Sequence, residues 1–251
     1  MLSIKQRLKS GEVVIGSWMQ IPDGSVAEIM GQAGFDWIAV DLEHGLFGEN
    51  SLADVCRAIE LGGAVPFVRV AQCGGKEIKH ALEAGARGLI VPMVQSREQV
   101  EQAIKWACYP PEGERGVGYS RANLFGKHFS EYFANVNQEL VIVAQIESIG
   151  AVRQIDAIAS TPGLDALLIG PYDLSASMGL TGQFDHPDFL KALNETATSA
   201  SHHRVPMGLH IVKPNVTLLN ARITEGYRFI AYGIDAVFLT SAAENPLRRS
   251  V

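Results

Sequence analysis

The sequence has few cysteines, no long apolar run and no excess of positive charge. Its three cysteines, Cys56, Cys73 and Cys108, are odd in number and lack metal-ligand spacing, so neither a disulfide framework nor a cysteine metal site is expected. No run of about eighteen apolar residues occurs, and the charged N-terminus does not resemble a signal peptide. A net charge of −6 without a basic cluster argues against nucleic-acid binding. We therefore expect a cytoplasmic protein with no membrane or nucleic-acid partner.

What the sequence does contain is a regular alternation of buried strands and helices. Its 251 residues are close to the ~250 of one eight-fold α/β barrel. The short apolar runs are VVIGSWM from Val13, DWIAVD from Asp36, VPFVRV from Val65, GLIVPMV from Gly88, ELVIVAQIE from Glu139, ALLIGPYD from Ala166, VPMGLHI from Val205 and RFIAYG from Arg228. None alternates apolar with polar residues, which is typical of parallel strands buried on both faces. The pattern predicts an α/β fold, a (β/α)8 TIM barrel that forms a single domain over residues 1–251. An open doubly wound sheet is disfavoured because its glycine-rich fingerprint is absent.

Glycines punctuate this alternation where a predicted helix ends and a strand begins. They are Gly34, Gly85, Gly163 and Gly226. Ser25 and Glu28 form a capping-box pattern that predicts a helix start. After Asp235 only a short segment remains, ending in AENPLRRSV, so a full eighth helix is difficult to build and the protein is expected to be an oligomer.

One connection between a helix and the next strand, Tyr109 to Gln138, is unusually long and rich in Gly, Pro and Arg. Arg115 and Arg121 within it have two interpretations. The segment could fold over a site and pair with an anionic substrate tail. The alternative, a surface loop with solvated arginines, is at least as plausible at this stage.

Polar residues stand at the ends of four predicted strands, where barrel enzymes place their chemistry. These residues are Asp41, Glu43, His44, Arg69, Gln145, Glu147 and Asp173. Glu147 and Asp173 end neighbouring strands, so their carboxylates can converge and form a weak site for Mg2+ or a similar hard cation. Each alone could instead favour only the positive N-terminus of the following helix. Together they favour the metal site.

His44 and Arg69 are the candidate acid–base and charge-stabilising groups. An imidazole titrates near working pH, so His44 could be a general base, although a lone histidine is more often structural. Arg69 could stabilise an oxyanion or could serve only as an ion-pair partner of Asp41 or Glu43. No strand ends in lysine, except that Lys213 follows the seventh, so a Schiff base lacks an obvious nucleophile.

The remaining histidines carry weaker expectations. His210 lies inside the seventh strand, where lining a pocket and packing in the core are equally plausible. No role is assigned to His80, His128, His186, His202 or His203.

These residues resemble the HpcH/HpaI aldolase family of class II, metal-dependent pyruvate aldolases, such as 4-hydroxy-2-oxoheptanedioate aldolase and 2-dehydro-3-deoxyglucarate aldolase. The matching segments are GFDWIAVDLEHG from Gly34, PFVRV ending in Val70, ALEAGARGLIVPMVQ from Ala81, YPPEGERGVG from Tyr109, QIES from Gln145 and IGPYDLSASMG from Ile169. The resemblance implies a lyase that reversibly cleaves 4-hydroxy-2-oxo acids to pyruvate, or a related 2-oxo acid, and an aldehyde. The reaction passes through a metal-stabilised enolate, with Mg2+, Mn2+ or Co2+ as cofactor.

The resemblance also implies a role for each site residue. His44 would be the base, Arg69 would stabilise the enolate, and Glu147 with Asp173 would hold the metal. Gln145 and the backbone amide of Tyr172 would contact the 2-oxo acid. A family acid that often reaches a neighbouring subunit's histidine falls on Glu83, where the usual residue is aspartate. The family is typically hexameric, a trimer of dimers, so a homohexamer is expected.

Two rival functions are considered, one enzymatic and one not. The nearest is a lyase acting on a CoA thioester, like the citrate lyase β subunit, although no basic groove for a long anionic cofactor is evident. A non-catalytic metal-binding barrel is disfavoured because the base, the arginine and the carboxylate pair are all present.

Overall fold

The computed structural model describes residues 2–48 and 51–243, and these form one closed parallel barrel. The eight strands pair in sequence order, and β8 closes the barrel against β1. They are β1 Val14–Met19, β2 Trp37–Asp41, β3 Val65–Arg69, β4 Gly88–Val91, β5 Val141–Ile146, β6 Ala166–Ile169, β7 Met207–Ile211 and β8 Phe229–Ile234. Every strand matches a predicted apolar run, with only Ile234 of β8 lying beyond its run, so the predicted (β/α)8 barrel is confirmed.

The helices are α1 Ile4–Lys9, α2 Gly24–Gln32, α3 Leu52–Gly62, α4 Gly75–Ala84, α5 Arg97–Ala107, α6 Phe129–Glu139, α7 Ile149–Arg153, α8 Ile155–Ala159, α9 Pro171–Ser177, α10 Pro187–His203, α11 Val216–Thr224 and α12 Asp235–Ala242. Helices α2 to α11 connect consecutive strands, while α1 precedes β1 and α12 follows β8. Residues four apart on one helix face, such as Val55 and Ile59 of α3, are buried against the strands. In the described part of the chain no helix has the length and apolarity that crossing a bilayer requires.

Aromatic rings fill the inside of the barrel. Trp37 stacks on Phe229 with ring centroids 4.5 Å apart and on Phe67 at 5.3 Å. Neighbouring strands leave room for these rings because they carry glycine. A Cβ at Gly16 would lie 2.0 Å from Trp37, and one at Gly88 would lie 2.3 Å from Phe67. The packed interior therefore confines access to the ends of the barrel.

The turns confirm one local prediction and correct another. The four glycines before strands all have positive φ, between 85° and 111°, as a left-handed turn requires. The predicted capping box at Ser25 is wrong, because α2 begins two residues earlier. Asp23 is its N-cap and accepts hydrogen bonds from the amides of Ser25 and Val26. At the C-terminus α12 is a short eighth helix, while the part of the AENPLRRSV segment from residue 244 onward lies outside the described residues.

The long connection after α5 lies at the amino-terminal end of the barrel, where every helix-to-strand connection returns. Arg121 pairs with Glu60 near the end of α3. The guanidinium of Arg115 is buried over the rings of Tyr109 and Tyr132, 4.6 and 5.6 Å from their centroids. Within one chain the segment therefore does not fold over the carboxyl-terminal end of its own barrel.

Candidate active site at the carboxyl ends of the strands

A buried ion pair connects the ends of β2 and β3. Arg69 donates from Nε to Asp41 Oδ1 at 2.9 Å and from Nη2 to Oδ2 at 2.7 Å, the bidentate geometry that best holds a guanidinium. Asp41 is fully buried and Arg69 is 7% exposed. Burial opposes ionisation of Asp41, but the hydrogen bonds and charge of Arg69 outweigh it and lower the pKa of Asp41. The ion pair considered as the alternative for Arg69 thus exists, and it fixes where the guanidinium lies.

Asp41 also organises the turn that carries His44. Its Oδ1 accepts from the amides of Glu43 at 3.1 Å and His44 at 3.2 Å. Gln20, just beyond β1, donates to Asp41 Oδ2 at 2.9 Å. Asp235 holds this segment in turn, because its two carboxylate oxygens accept from the amides of Gln20 and Ile21. Sequence reasoning missed Gln20 and Asp235, although each directly follows a strand.

The His44 side chain is exposed at the rim of the site. Among the residues that the structure describes, none hydrogen-bonds its imidazole, while Glu43 beside it forms a 3.1 Å ion pair with Arg69 Nη1. Burial raises the pKa of Glu43, although the charges of Arg69 and His44 partly oppose this. His44 is therefore free to meet a ligand from above the strand ends.

Glu147 is the most perturbed acid of the cluster. It is 3% exposed, and its Oε1 accepts from Gln145 Nε2 and its Oε2 from the Met93 amide, both at 2.8 Å. Burial raises the pKa of Glu147 to about 7. The Met93 amide opposes the shift, while the negative charges of Glu43 and Asp173 add to it. A buried carboxylate among like charges is suited to a cation, which removes the repulsion that keeps it protonated.

Asp173 and Gln145 also contribute oxygen atoms beside Glu147. Asp173 lies exposed in the first turn of α9, next to the amide of Tyr172, whose ring packs edge-on against Phe184. Gln145 is buried, and its Oε1 has no hydrogen-bond partner in the described part of the chain. Two carboxylates and an unpaired amide oxygen form a donor set of oxygens, the type that Mg2+ or Mn2+ prefers. The residues therefore fit the expected divalent cation.

Trp18 of β1 and His210 of β7 form one wall of the site. The sequence had left open whether His210 lines a pocket or packs in the core. The ring centroids of His210 and Trp18 are 5.6 Å apart, and Cζ of Arg69 lies 4.5 Å from the centroid of the same indole ring. Nε2 of His210 is 3.3 Å from the Gly233 carbonyl, and burial lowers the pKa of His210 to about 4. His210 is thus a neutral, half-buried residue that faces the site. Of the two predicted alternatives, it lines the pocket.

Glu83 is the predicted site residue that this chain does not bring to the cluster. It lies near the end of α4, which leads to the amino-terminal end of β4, and its carboxylate is 3.8 Å from Lys79. His44 follows the carboxyl-terminal end of β2, so the two residues lie at opposite ends of one barrel. Contact between them requires a second chain.

Cavity size does not identify the site. A cavity of about 470 Å³ lies at the amino-terminal end near Glu60 and Arg121. A smaller one of about 340 Å³ lies between α10 and α11, and Tyr172, His210 and Lys213 line it. Only the second adjoins the strand-end cluster, so the chemistry of the residues locates the site.

A closed parallel barrel with a polar cluster at its carboxyl ends is the arrangement of barrel enzymes. A family model described as HpcH/HpaI aldolase/citrate lyase matches residues 15–242, and the chain belongs to this family. It is 34% identical over 245 residues to a hydroxypyruvate/pyruvate aldolase of Roseobacter denitrificans, covering 97% of this chain and 94% of the relative. It is 36% identical over 241 residues to a 5-keto-4-deoxy-D-glucarate aldolase of Shigella dysenteriae, covering 96% and 93%.

Solved structures agree with this assignment. A HpcH/HpaI aldolase/citrate lyase family protein from Burkholderia cenocepacia superposes with a TM-score of 0.90 at 32% identity, covering 95% of each chain. The predicted family and enzyme class, an aldehyde-lyase, are confirmed.

Proposed function

We propose that this protein is a divalent-metal-dependent aldolase that reversibly cleaves 4-hydroxy-2-oxo acids to pyruvate, or a related 2-oxo acid, and an aldehyde. The observation that carries the proposal is the buried Glu147, which lies among the negative charges of Glu43 and Asp173 and beside the unpaired Gln145 oxygen. The relatives that are aldolases acting on pyruvate, hydroxypyruvate or a keto-deoxy sugar acid support the same reaction class.

Glu147 and Asp173 would hold the cation, which we propose to be Mg2+, Mn2+ or Co2+. When bound, it supplies Lewis acidity that withdraws electron density from the 2-oxo group. The Tyr172 amide and Gln145 would position the carboxylate and keto oxygen of the substrate. We assign these roles from the position of each residue relative to Glu147.

Arg69 would stabilise the negative charge that develops on the keto oxygen as the enolate forms. Its two hydrogen bonds to Asp41 fix the guanidinium before the substrate arrives, so little reorganisation is needed during reaction. Glu43, which pairs with Nη1 of Arg69, and the ring of Trp18 complete this side of the site.

His44 would take the proton of the 4-hydroxyl group, directly or through water, as the carbon–carbon bond breaks. Its exposed ring and its anchored backbone suit a group that meets substrate at the rim. Glu83 of a neighbouring subunit would orient this histidine. The proposal therefore includes a homo-oligomer, a hexamer built as a trimer of dimers, and a single domain over residues 1–251 in the cytoplasm.

The two rival functions make different demands on the site. A CoA-thioester lyase needs a cationic groove for a phosphorylated cofactor, whereas the polar cluster here contains four acids and one guanidinium. These acids are Asp41, Glu43, Glu147 and Asp173. A non-catalytic metal-binding barrel would not need a preoriented arginine. Neither rival is favoured by a specific observation.

The test is a panel of 4-hydroxy-2-oxo acids assayed for pyruvate release with Mg2+, Mn2+ and Co2+. We expect cleavage that a chelator abolishes and added metal restores. Thermal stabilisation by CoA esters but not by pyruvate with Mg2+ would instead support the thioester lyase. Borohydride trapping of pyruvate on Lys213 would overturn the metal-dependent mechanism.

A further inference from the structure

A second cluster of metal-ligating side chains lies on the outer surface, between α8 and α10. It consists of Asp156, in the first turn of α8, with His202 and His203, the last two residues of α10. Within the described residues it is the one group of three His, Cys, Asp or Glu side chains whose candidate ligand atoms all lie within 4.8 Å of one another. We refer to these three residues as the α8–α10 triad.

Tertiary packing brings the triad together. His203 Nε2 is 2.8 Å from Asp156 Oδ1, and His202 Nδ1 is 3.9 Å from the same oxygen. The two imidazole rings are 4.6 Å apart, tilted by 37°. Ser199, one turn earlier in α10, donates to Asp156 Oδ1 at 3.4 Å and holds the carboxylate at this position.

The protonation state suits a metal as well. The hydrogen bond from His203 lowers the pKa of Asp156, so the carboxylate is charged at neutral pH. Asp156 and His202 are exposed, so a metal ion can reach their ligand atoms from solvent. The triad supplies two imidazole nitrogens and one carboxylate oxygen on one side of a bound ion. The remaining coordination positions of the ion stay open to water.

We propose that the α8–α10 triad is a surface site for a divalent transition metal, of the Zn2+, Ni2+ or Cu2+ class. Imidazole ligands favour these borderline ions over Mg2+, for which oxygen ligands are preferred. The triad therefore differs in ion preference from the oxygen ligands at Glu147 and Asp173. A bound ion bridges α8 to the C-terminal end of α10 and stabilises that contact.

The test measures Zn2+ binding to the untagged, full-length protein by competition with a chromophoric chelator. Millimolar Mg2+ is present throughout to occupy the strand-end carboxylates, because it competes poorly for imidazole. We expect one Zn2+ per chain and a loss of about tenfold or more in affinity in each of His202→Ala, His203→Ala and Asp156→Asn. His128→Ala is the matched control, because His128 is also exposed and is paired only with Glu131, without a second imidazole.

Two further readouts separate coordination from a structural ion pair. The electron paramagnetic resonance spectrum of bound Cu2+ is expected to show two nitrogen ligands, falling to one in His202→Ala. Zn2+ is expected to raise the melting temperature of the wild type but not of His203→Ala. No saturable Zn2+ site in the wild type, or equal affinity in His202→Ala, His203→Ala and the wild type, would overturn the proposal. None of these measurements depends on aldolase activity.

Discussion

The two ends of the barrel use buried charge in opposite ways. At the amino-terminal end, Lys5 lies 3.1 Å from Asp165, which also accepts from the Ile142 amide, and Arg7 pairs with Asp36. Asp36 also accepts from the Ile15 amide, so each of these two acids has a cation and a backbone donor. At the carboxyl-terminal end, Asp41, Glu43, Glu147 and Asp173 surround one guanidinium, that of Arg69, and Gln145 Oε1 has no partner within the described ranges.

This difference indicates that the buried charges at the amino-terminal end serve the fold, whereas those at the carboxyl-terminal end serve ligand binding. A cation and a backbone donor offset part of the cost of burying Asp165, whose pKa burial still raises, and they leave nothing for a ligand to supply. Acids in excess of their partners destabilise the empty site and favour a cation.

Glu147→Gln is expected to reduce aldol cleavage by about 1,000-fold, near the upper cost of removing a transition-state stabilising group. The amide retains the shape but replaces a charged oxygen ligand with a neutral and weaker one. The matched change at the amino-terminal end is Asp165→Asn. It is expected to lower the free energy of unfolding by about 1–3 kcal/mol, through the weakened Lys5 pair, with little change in kcat. Equal activity losses in the two variants would contradict the contrast between the ends.

Arg69→Ala and His44→Ala are expected to separate two steps of the reaction. Loss of the enolate stabiliser should slow both carbon–carbon cleavage and exchange of the C3 protons of pyruvate by about 100-fold. Loss of His44 should slow cleavage by about 100-fold but leave part of the exchange, because only cleavage needs the 4-hydroxyl proton removed. Deuterium uptake into pyruvate, followed by NMR beside a cleavage assay, measures both. Arg69→Lys is the conservative control, expected to restore only part of the activity, since an ammonium lacks the planar fork.

Wild-type exchange in Arg69→Ala together with normal cleavage in His44→Ala would show that both roles are assigned wrongly.

The pH dependence of stability is expected to reveal the charge excess at Glu147. Its pKa is raised from 4.5 to about 7 in the folded protein, chiefly by burial. Between these values the folded state binds a proton that the unfolded state has released, so stability without metal falls as the pH rises. The full effect above pH 7 is at most about 3.5 kcal/mol, at ~1.4 kcal/mol for each unit of pKa. Denaturant unfolding with a chelator at pH 4.5 and 7.5 measures it, and Glu147→Gln should remove this pH dependence.

Arg121→Ala is expected to have the smallest effect on the reaction. The sequence left open a role in pairing with acidic aldehydes, but Arg121 pairs with Glu60 at the amino-terminal end. We expect the ratio of activity toward acidic and neutral aldehydes to change by less than about twofold, and stability to fall by about 1 kcal/mol or less. A selective loss of acidic aldehydes would indicate that the segment reaches the site of a neighbouring subunit.

The sequence by itself determined the strands, their parallel order and the polar residues at their carboxyl ends. Apolar runs such as VPFVRV bury both faces, and glycine permits the left-handed turns before strands, so local patterns were sufficient there. The places of Arg69 and Glu147 among the strand ends followed from the same topology. Their catalytic and metal-binding roles remain predictions, as does that of Glu83.

The tertiary structure alone decided which of these groups meet and how their charges balance. The Asp41–Arg69 pair spans 28 residues of sequence and the contact between Asp156 and His203 spans 47. No local pattern encodes such distances, and His202 and His203 carried no expected role. Arg121 and Glu83 lie at the amino-terminal end because a helix that follows a parallel strand must return the chain there. Contacts between distant segments depend on how the whole barrel closes, and only the packed structure shows them.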